Sequence, residues 1–139
     1  VHEQVPWAGV IIVAVTMVGG AVLVHQVVRR ASDGRLRRNH FAGIRTPSTM
    51  ASESAWIAGH RAARRATDLG AGGMGLAGVI VLGLRDPWPF LITTLLGAVW
   101  VLFWVFVSAR HAGKAARSAS DIAETTTVPA HRNRHDQSR

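Results

Sequence analysis

The sequence predicts an all-α integral membrane protein with three transmembrane helices and a short amphipathic cytoplasmic helix before the second. Three observations predict it. The apolar residues, 48% of the chain, are gathered into three blocks instead of alternating with polar ones every few positions. The charge lies between and after the blocks and is strongly positive, +8 over 139 residues. The second block is dense in glycine and alanine, which in a bilayer permit close helix approach.

The first block covers residues 7–28 and contains no Asp, Glu, Lys or Arg. At about 1.5 Å per residue it is long enough for a hydrocarbon core of about 30 Å. Residues 1–6 carry Glu3 and no Lys or Arg, whereas Arg29 and Arg30 follow the block. That order predicts a retained helix with its N-terminus outside, not a signal peptide. His25, near the inner end, is expected to hydrogen-bond to a neighbouring helix. A proton-coupled role is the alternative for an ionisable group at that depth.

The second block is residues 69–84, extendable backwards if Arg64 and Arg65 snorkel towards headgroups. Ala71 with Gly75, and Gly73 with Ala77, form small-xxx-small pairs, and Gly78 extends the small surface. These residues either pack against the chain's own helices or dock another protein's helix. Residues 85–87 make a tight link, with Pro87 and Pro89 at the entry to the third block, residues 88–109. Spans two and three therefore form an antiparallel hairpin. Trp100, Phe103 and Trp104 offer bulk to fill the gap beside the glycine-rich face.

Residues 29–68 hold nine Arg and three acids, and Arg110, Lys114 and Arg117 follow the third block. The opposite side offers Glu3, Arg85 and Asp86. The positive-inside rule places the basic loop and the C-terminus in the cytoplasm, with Trp7 and Trp88 at the outer interface. The basic balance thus reports topology and an anionic inner leaflet, not direct nucleic-acid binding. With no cysteine, thiolate metal sites, disulfides and cysteine nucleophiles are excluded. Residues 1–117 are read as the membrane domain. Residues 118–139, polar and without apolar period, are read as a disordered cytoplasmic tail, with His131 and His135 solvated among arginines.

The loop carries the chemistry. Gly43 suits a turn with positive φ, and Thr46-Pro47 suits a helix start, Thr as N-cap and Pro at the first position. From there a helix running to Ala66 puts Glu53, Trp56, His60 and Arg64 on one face, whether or not it merges with span two. Arg45 is placed to pair with Glu53, and Asn39 to satisfy exposed backbone groups. Glu53 and His60 are seven residues apart, about 10.5 Å along a helix, too far for a direct hydrogen bond. The spacing also fails the i, i+4 requirement of a helical metal pair. No catalytic residue, metal or cofactor is assigned.

Asn39, the run Gly43-Ile44-Arg45-Thr46-Pro47, Thr49, Ser52-Glu53, Trp56 and His60-Arg61 together resemble the signature of the SdpI family of bacterial membrane proteins. The match is ungapped over about 23 residues. The family's namesake is an immunity protein against a secreted killing factor, and a receptor that holds a transcriptional repressor at the membrane. The resemblance implies a multi-pass protein of the bacterial inner membrane. It also implies a partner-binding role, with a peptide toxin or a cytoplasmic repressor as partner. Asn39, Gly43, Arg45, Thr46, Pro47, Glu53, Trp56, His60 and Arg61 are then the candidate ligand or partner residues. Two other readings stand beside it. One is a structural accessory subunit of a larger membrane complex, and the other is anionic headgroup binding by the loop through Arg45 and Arg61.

Overall fold

The computed structural model describes residues 4–127, which form three helices and, among those residues, no strand. They are α1 (Trp7–Ser32), α2 (Glu53–Val81) and α3 (Pro87–Thr127). α2 packs along both α1 and α3, which barely touch each other. The molecule is therefore an open V of two outer helices on a central one.

Two helices, α1 and α3, are long and apolar enough to cross a membrane. Only 6% of the apolar window of α3 is buried inside the protein, and 22% of that of α1. The core helix of a soluble protein would be mostly enclosed. Here Ile11, Ile12, Val15, Leu95, Leu96, Leu102 and Phe106 all face outward. Water would penalise such a continuous apolar surface, so lipid is its natural solvent. α2 is as long, but its first half carries His60, Arg61, Arg64, Arg65 and Asp68.

The interfaces use the small residues of α2 on two sides. Towards α3, a side chain on Gly70 would strike the Trp104 Cβ at 2.7 Å, and one on Gly73 would overlap the Trp100 indole. Further along, Gly97 of α3 faces Ala77 and the tip of Met17, where the α1 side chain reaches α3. Towards α1, Gly78 lies against Met17 and Gly75 against Ala21. Ala71 is buried. The aromatic bulk of α3 thus fills the space that the glycines leave. Polar bonds pin both ladders. His25 Nδ1 lies 2.7 Å from Asp68 Oδ1 across α1 and α2, and the Thr67 and Ser108 hydroxyls are 3.1 Å apart across α2 and α3.

The far end of the V is stitched by Arg85. Its carbonyl accepts from the Val5 N–H at 2.8 Å, and its guanidinium donates to the Val5 carbonyl at 3.3 Å. The same guanidinium covers the Trp7 ring at 4.7 Å.

The helix boundaries correct two expectations. Thr46-Pro47 does not start a helix, and no separate amphipathic helix precedes α2. Ser52 is the N-cap instead, with extended backbone and Oγ accepting from the Ala55 N–H at 3.0 Å. From Glu53 the helix runs unbroken into the glycine-rich block. No proline interrupts it, and contact with Trp100 and Trp104 offsets the poor helix propensity of Gly70 and Gly73. Likewise α3 continues to Thr127, into the stretch expected to be disordered. Buried Ala112 and Ala116 carry its early part along α2. The remainder of the tail, with His131 and His135, lies outside the described residues.

Candidate functional site

The connector between α1 and α2 is short of regular structure but dense in specific bonds. It opens where α1 ends at Gly34, φ +73°, a left-handed conformation that glycine adopts without strain. Asn39 then organises the chain as an Asx turn. Its Oδ1 accepts from the Phe41 and Ala42 N–H groups at 2.9 Å, and its Nδ2 donates to the Arg37 carbonyl at 2.8 Å. This is the backbone satisfaction expected of it.

Gly43 is the pivot. Its φ is +102°, and an added Cβ would sit 2.7 Å from both His60 Nε2 and the Trp56 ring. Backbone conformation and packing therefore exclude a side chain independently. The close approach brings the Ile44 N–H to His60 Nε2 at 2.9 Å. The other ring nitrogen, Nδ1, lies 2.8 Å from the Trp56 carbonyl. A backbone N–H only donates and a carbonyl only accepts, so the imidazole is the neutral Nδ1–H tautomer. His60 is 0% exposed. Its pKa is lowered from the ordinary value of 6.5, first by desolvation, with the bond to the Trp56 carbonyl opposing.

Trp56 completes the knot. It is fully buried, its ring 4.1 Å from that of His60, and its Nε1–H donates to the Leu36 carbonyl at 2.9 Å. Thr49, also buried, donates to the Ile44 carbonyl at 2.7 Å and accepts from the Thr46 N–H at 2.9 Å. The Thr46 hydroxyl accepts from the Thr49 N–H at 3.2 Å, a reciprocal pair that closes a turn instead of capping a helix. Gly59, on the opposite side of Thr49, lets the knot sit within contact of the Ala112 carbonyl of α3.

The charged members behave differently from expectation. Arg45 does not pair with Glu53; its guanidinium donates to the His40 carbonyl. Glu53 Oε2 accepts from the Arg38 N–H at 3.3 Å, and the Arg38 side chain donates to the Met50 carbonyl at 2.6 Å. Glu53 is exposed at the helix start while Trp56 and His60, one and two turns on, are buried, so the expected shared face is split by depth. Pro47 and Arg61 are exposed, and Arg61 has no side-chain partner among the described residues. No group of three potential metal ligands occurs among those residues.

One cavity adjoins the knot. It lies between α1 and α3, about 320 Å³, with Val24, Val27 and Val28 on one wall and Val101, Trp104 and Val105 on the other. Residues 41–44 close one end, with Phe41 projecting 92% exposed beside it. The Trp104 Nε1 is buried without a hydrogen-bond partner.

Sequence reasoning missed Asp68, the partner of His25, and the pairing of Asp33 with Arg64 at 3.8 Å. An acid directly abutting an apolar block opposite a histidine at matching depth was the available signal.

These features define a small helical membrane protein whose connector is folded into a fixed, basic knob. The SdpI/YfhL protein family model matches residues 35–108, from the connector through most of α3. The chain belongs to that family. Comparisons with curated proteins and with solved structures gave no match.

Proposed function

We propose that this is a three-span protein of the bacterial cell membrane that acts by binding a partner, as a toxin-immunity or signal-receptor protein. The N-terminus lies outside and the knob and α3 extension lie in the cytoplasm. Charge asymmetry supports that orientation: the arginines cluster at the knob end, while Trp7 and Trp88 share the other. α2 supplies the third span, its second half sheltered between α1 and α3.

The observation that carries the reading is the apolar cleft between the arms of the V, closed at one end by the knob. The candidate residues Asn39, Gly43, Thr46, Trp56 and His60 shape that end without reaching outward. A hydrophobic peptide segment fits the cleft, with its side chains against the apolar walls. Its arrival at Phe41 would be sensed by the knob and passed to a cytoplasmic protein. Cells lacking the protein should become sensitive to a secreted peptide, and re-expression should restore protection. Val24→Trp, which fills the cleft, should insert normally and fail to protect. Unchanged sensitivity to every candidate peptide would contradict the reading.

The near-absence of contact between α1 and α3 also favours a second reading, an accessory subunit whose V is completed by another protein's helix. Gentle-detergent purification should then yield a stoichiometric partner, and a lone monomer would count against it.

A further inference from the structure

A second, broader cleft lies away from the V, between the turn at residues 46–48 and the first turns of α3 beyond its apolar stretch, about 950 Å³ in volume. Its chemistry is graded. Phe106 and Ala109 form an apolar floor, and Arg110, Lys114 and Arg117 line the wall above it. On an α-helix these three positions share one face. Thr46 and Ser48 form the opposite wall, the Ser48 hydroxyl facing Arg117 while that of Thr46 is held by Thr49. No carboxylate lines the cleft, and among the described residues none pairs with any of the three cations.

The cations are arranged, not merely present. The Arg110 guanidinium is stacked 4.3 Å from the centre of the Phe106 ring, at the boundary between apolar and charged helix. Arg117 Nη1 reaches back across the cleft to Ser48 Oγ at 3.4 Å. Lys114, between them, has no side-chain partner. Like charges stacked one turn apart destabilise a helix, and the one acid a turn away, Asp121 beyond Arg117, lies outside the cleft and makes no ion pair with it. Topology alone needs positive charge near the end of a span. It does not need a cleft walled by a rigid turn.

We infer that this cleft binds the phosphate-bearing headgroup of an anionic phospholipid, with one acyl chain running down over Ala109 and Phe106. Arginine and lysine, with the Ser48 hydroxyl opposite, suit a phosphodiester, and the apolar floor directly beneath suits the attached chain. A free phosphate would use the upper wall only. The site is distinct from the apolar cleft of the proposed partner, and it uses none of Arg45 and Arg61. It rests on α3 crossing the bilayer, not on any immunity or signalling role.

The test uses the full chain in detergent, with retained lipid read by native mass spectrometry after exchange into phosphatidylcholine vesicles with and without phosphatidylglycerol. The wild-type protein should retain phosphatidylglycerol in preference to phosphatidylcholine. Lys114→Gln and Arg117→Gln should each weaken that preference about fivefold, the effect of about 1 kcal/mol per basic side chain near an anionic surface. Arg35→Gln, which removes the same charge from an exposed position on the connector, should leave it within about twofold, as expected for a charge outside the site. Equal losses in all three variants would show diffuse attraction and overturn the site. Displacement of the bound lipid by inorganic phosphate at equal charge would overturn the commitment to a lipid. Because the readout involves no toxin and no cell, it fails or succeeds independently of the proposed function.

Discussion

The two halves of α2 are held by opposite means. Around its first half, Gly43, Ile44, Thr49, Trp56 and His60 form a knot of directed hydrogen bonds with each ring nitrogen assigned to one backbone group. Around its second half, Gly70, Gly73 and Gly78 meet Trp104, Trp100 and Met17 mainly by shape, with isolated bonds such as that from the Trp100 Nε1–H to the Leu69 carbonyl at 2.9 Å. Near the headgroups an exposed backbone segment can lose its bonds to water, so specificity there needs polar partners. In hydrocarbon the backbone bonds are internal to each helix, so close packing is what remains to be optimised. The knot should therefore be brittle and the ladder forgiving.

The sharpest break in that comparison is Gly43→Ala. Left-handed strain and overlap with His60 and Trp56 add, for an expected loss of about 3 kcal/mol. Thermal unfolding in detergent should show the largest drop of any single alanine substitution in the connector. His60→Ala comes next. It strands the Ile44 N–H and leaves a cavity, for about 2–4 kcal/mol by the same assay.

The ladder predictions are smaller. Gly73→Ala collides with the Trp100 indole, which is partly lipid-facing but can move aside only by giving up its Nε1–H bond to the Leu69 carbonyl, so about 1–3 kcal/mol is expected. Gly72→Ala meets nothing within 4 Å and should be neutral or slightly stabilising. Thr67→Val removes the bond to Ser108 for about 0.6 kcal/mol.

Acid sharpens the comparison further. The folded protein holds His60 with a pKa below its unfolded value of 6.5, so the unfolded chain binds the proton more readily. The stability from neutral His60 is complete above pH 6.5 and drains away as pH falls from there through the folded pKa. Unfolding temperature measured against pH should fall below 6.5, and His60→Gln should flatten that fall.

Much of this was legible in the sequence, for physical reasons. Lipid demands uninterrupted apolar stretches, so the blocks at 7–28 and 88–109 coincide with the bodies of α1 and α3. The complementarity of glycines on α2 and tryptophans on α3 was readable from residue size. Asn39 was readable because its side chain bonds to backbone only two or three residues away. The rest depended on distance in the chain. With four arginines in the connector, charge pairing alone does not select a partner for Glu53, and the group that bonds it is the backbone N–H of Arg38. The His25–Asp68 pair joins residues 43 apart, and its register follows from how α1 lies on α2. Thr46 makes the same i+3 bond to Thr49 that Ser52 makes to Ala55, but the chain leaves helical conformation at residues 51–52, so the turn it caps stops there and α2 starts from Ser52.

The tautomer of His60 tests the account most directly, because the knot exists only if both ring nitrogens face backbone groups. Nitrogen-15 NMR of the imidazole at neutral pH should show Nδ1 protonated and Nε2 bare. A ring protonated at Nε2, or charged at both nitrogens, would mean that the Ile44 N–H is not its partner and that the connector is folded some other way.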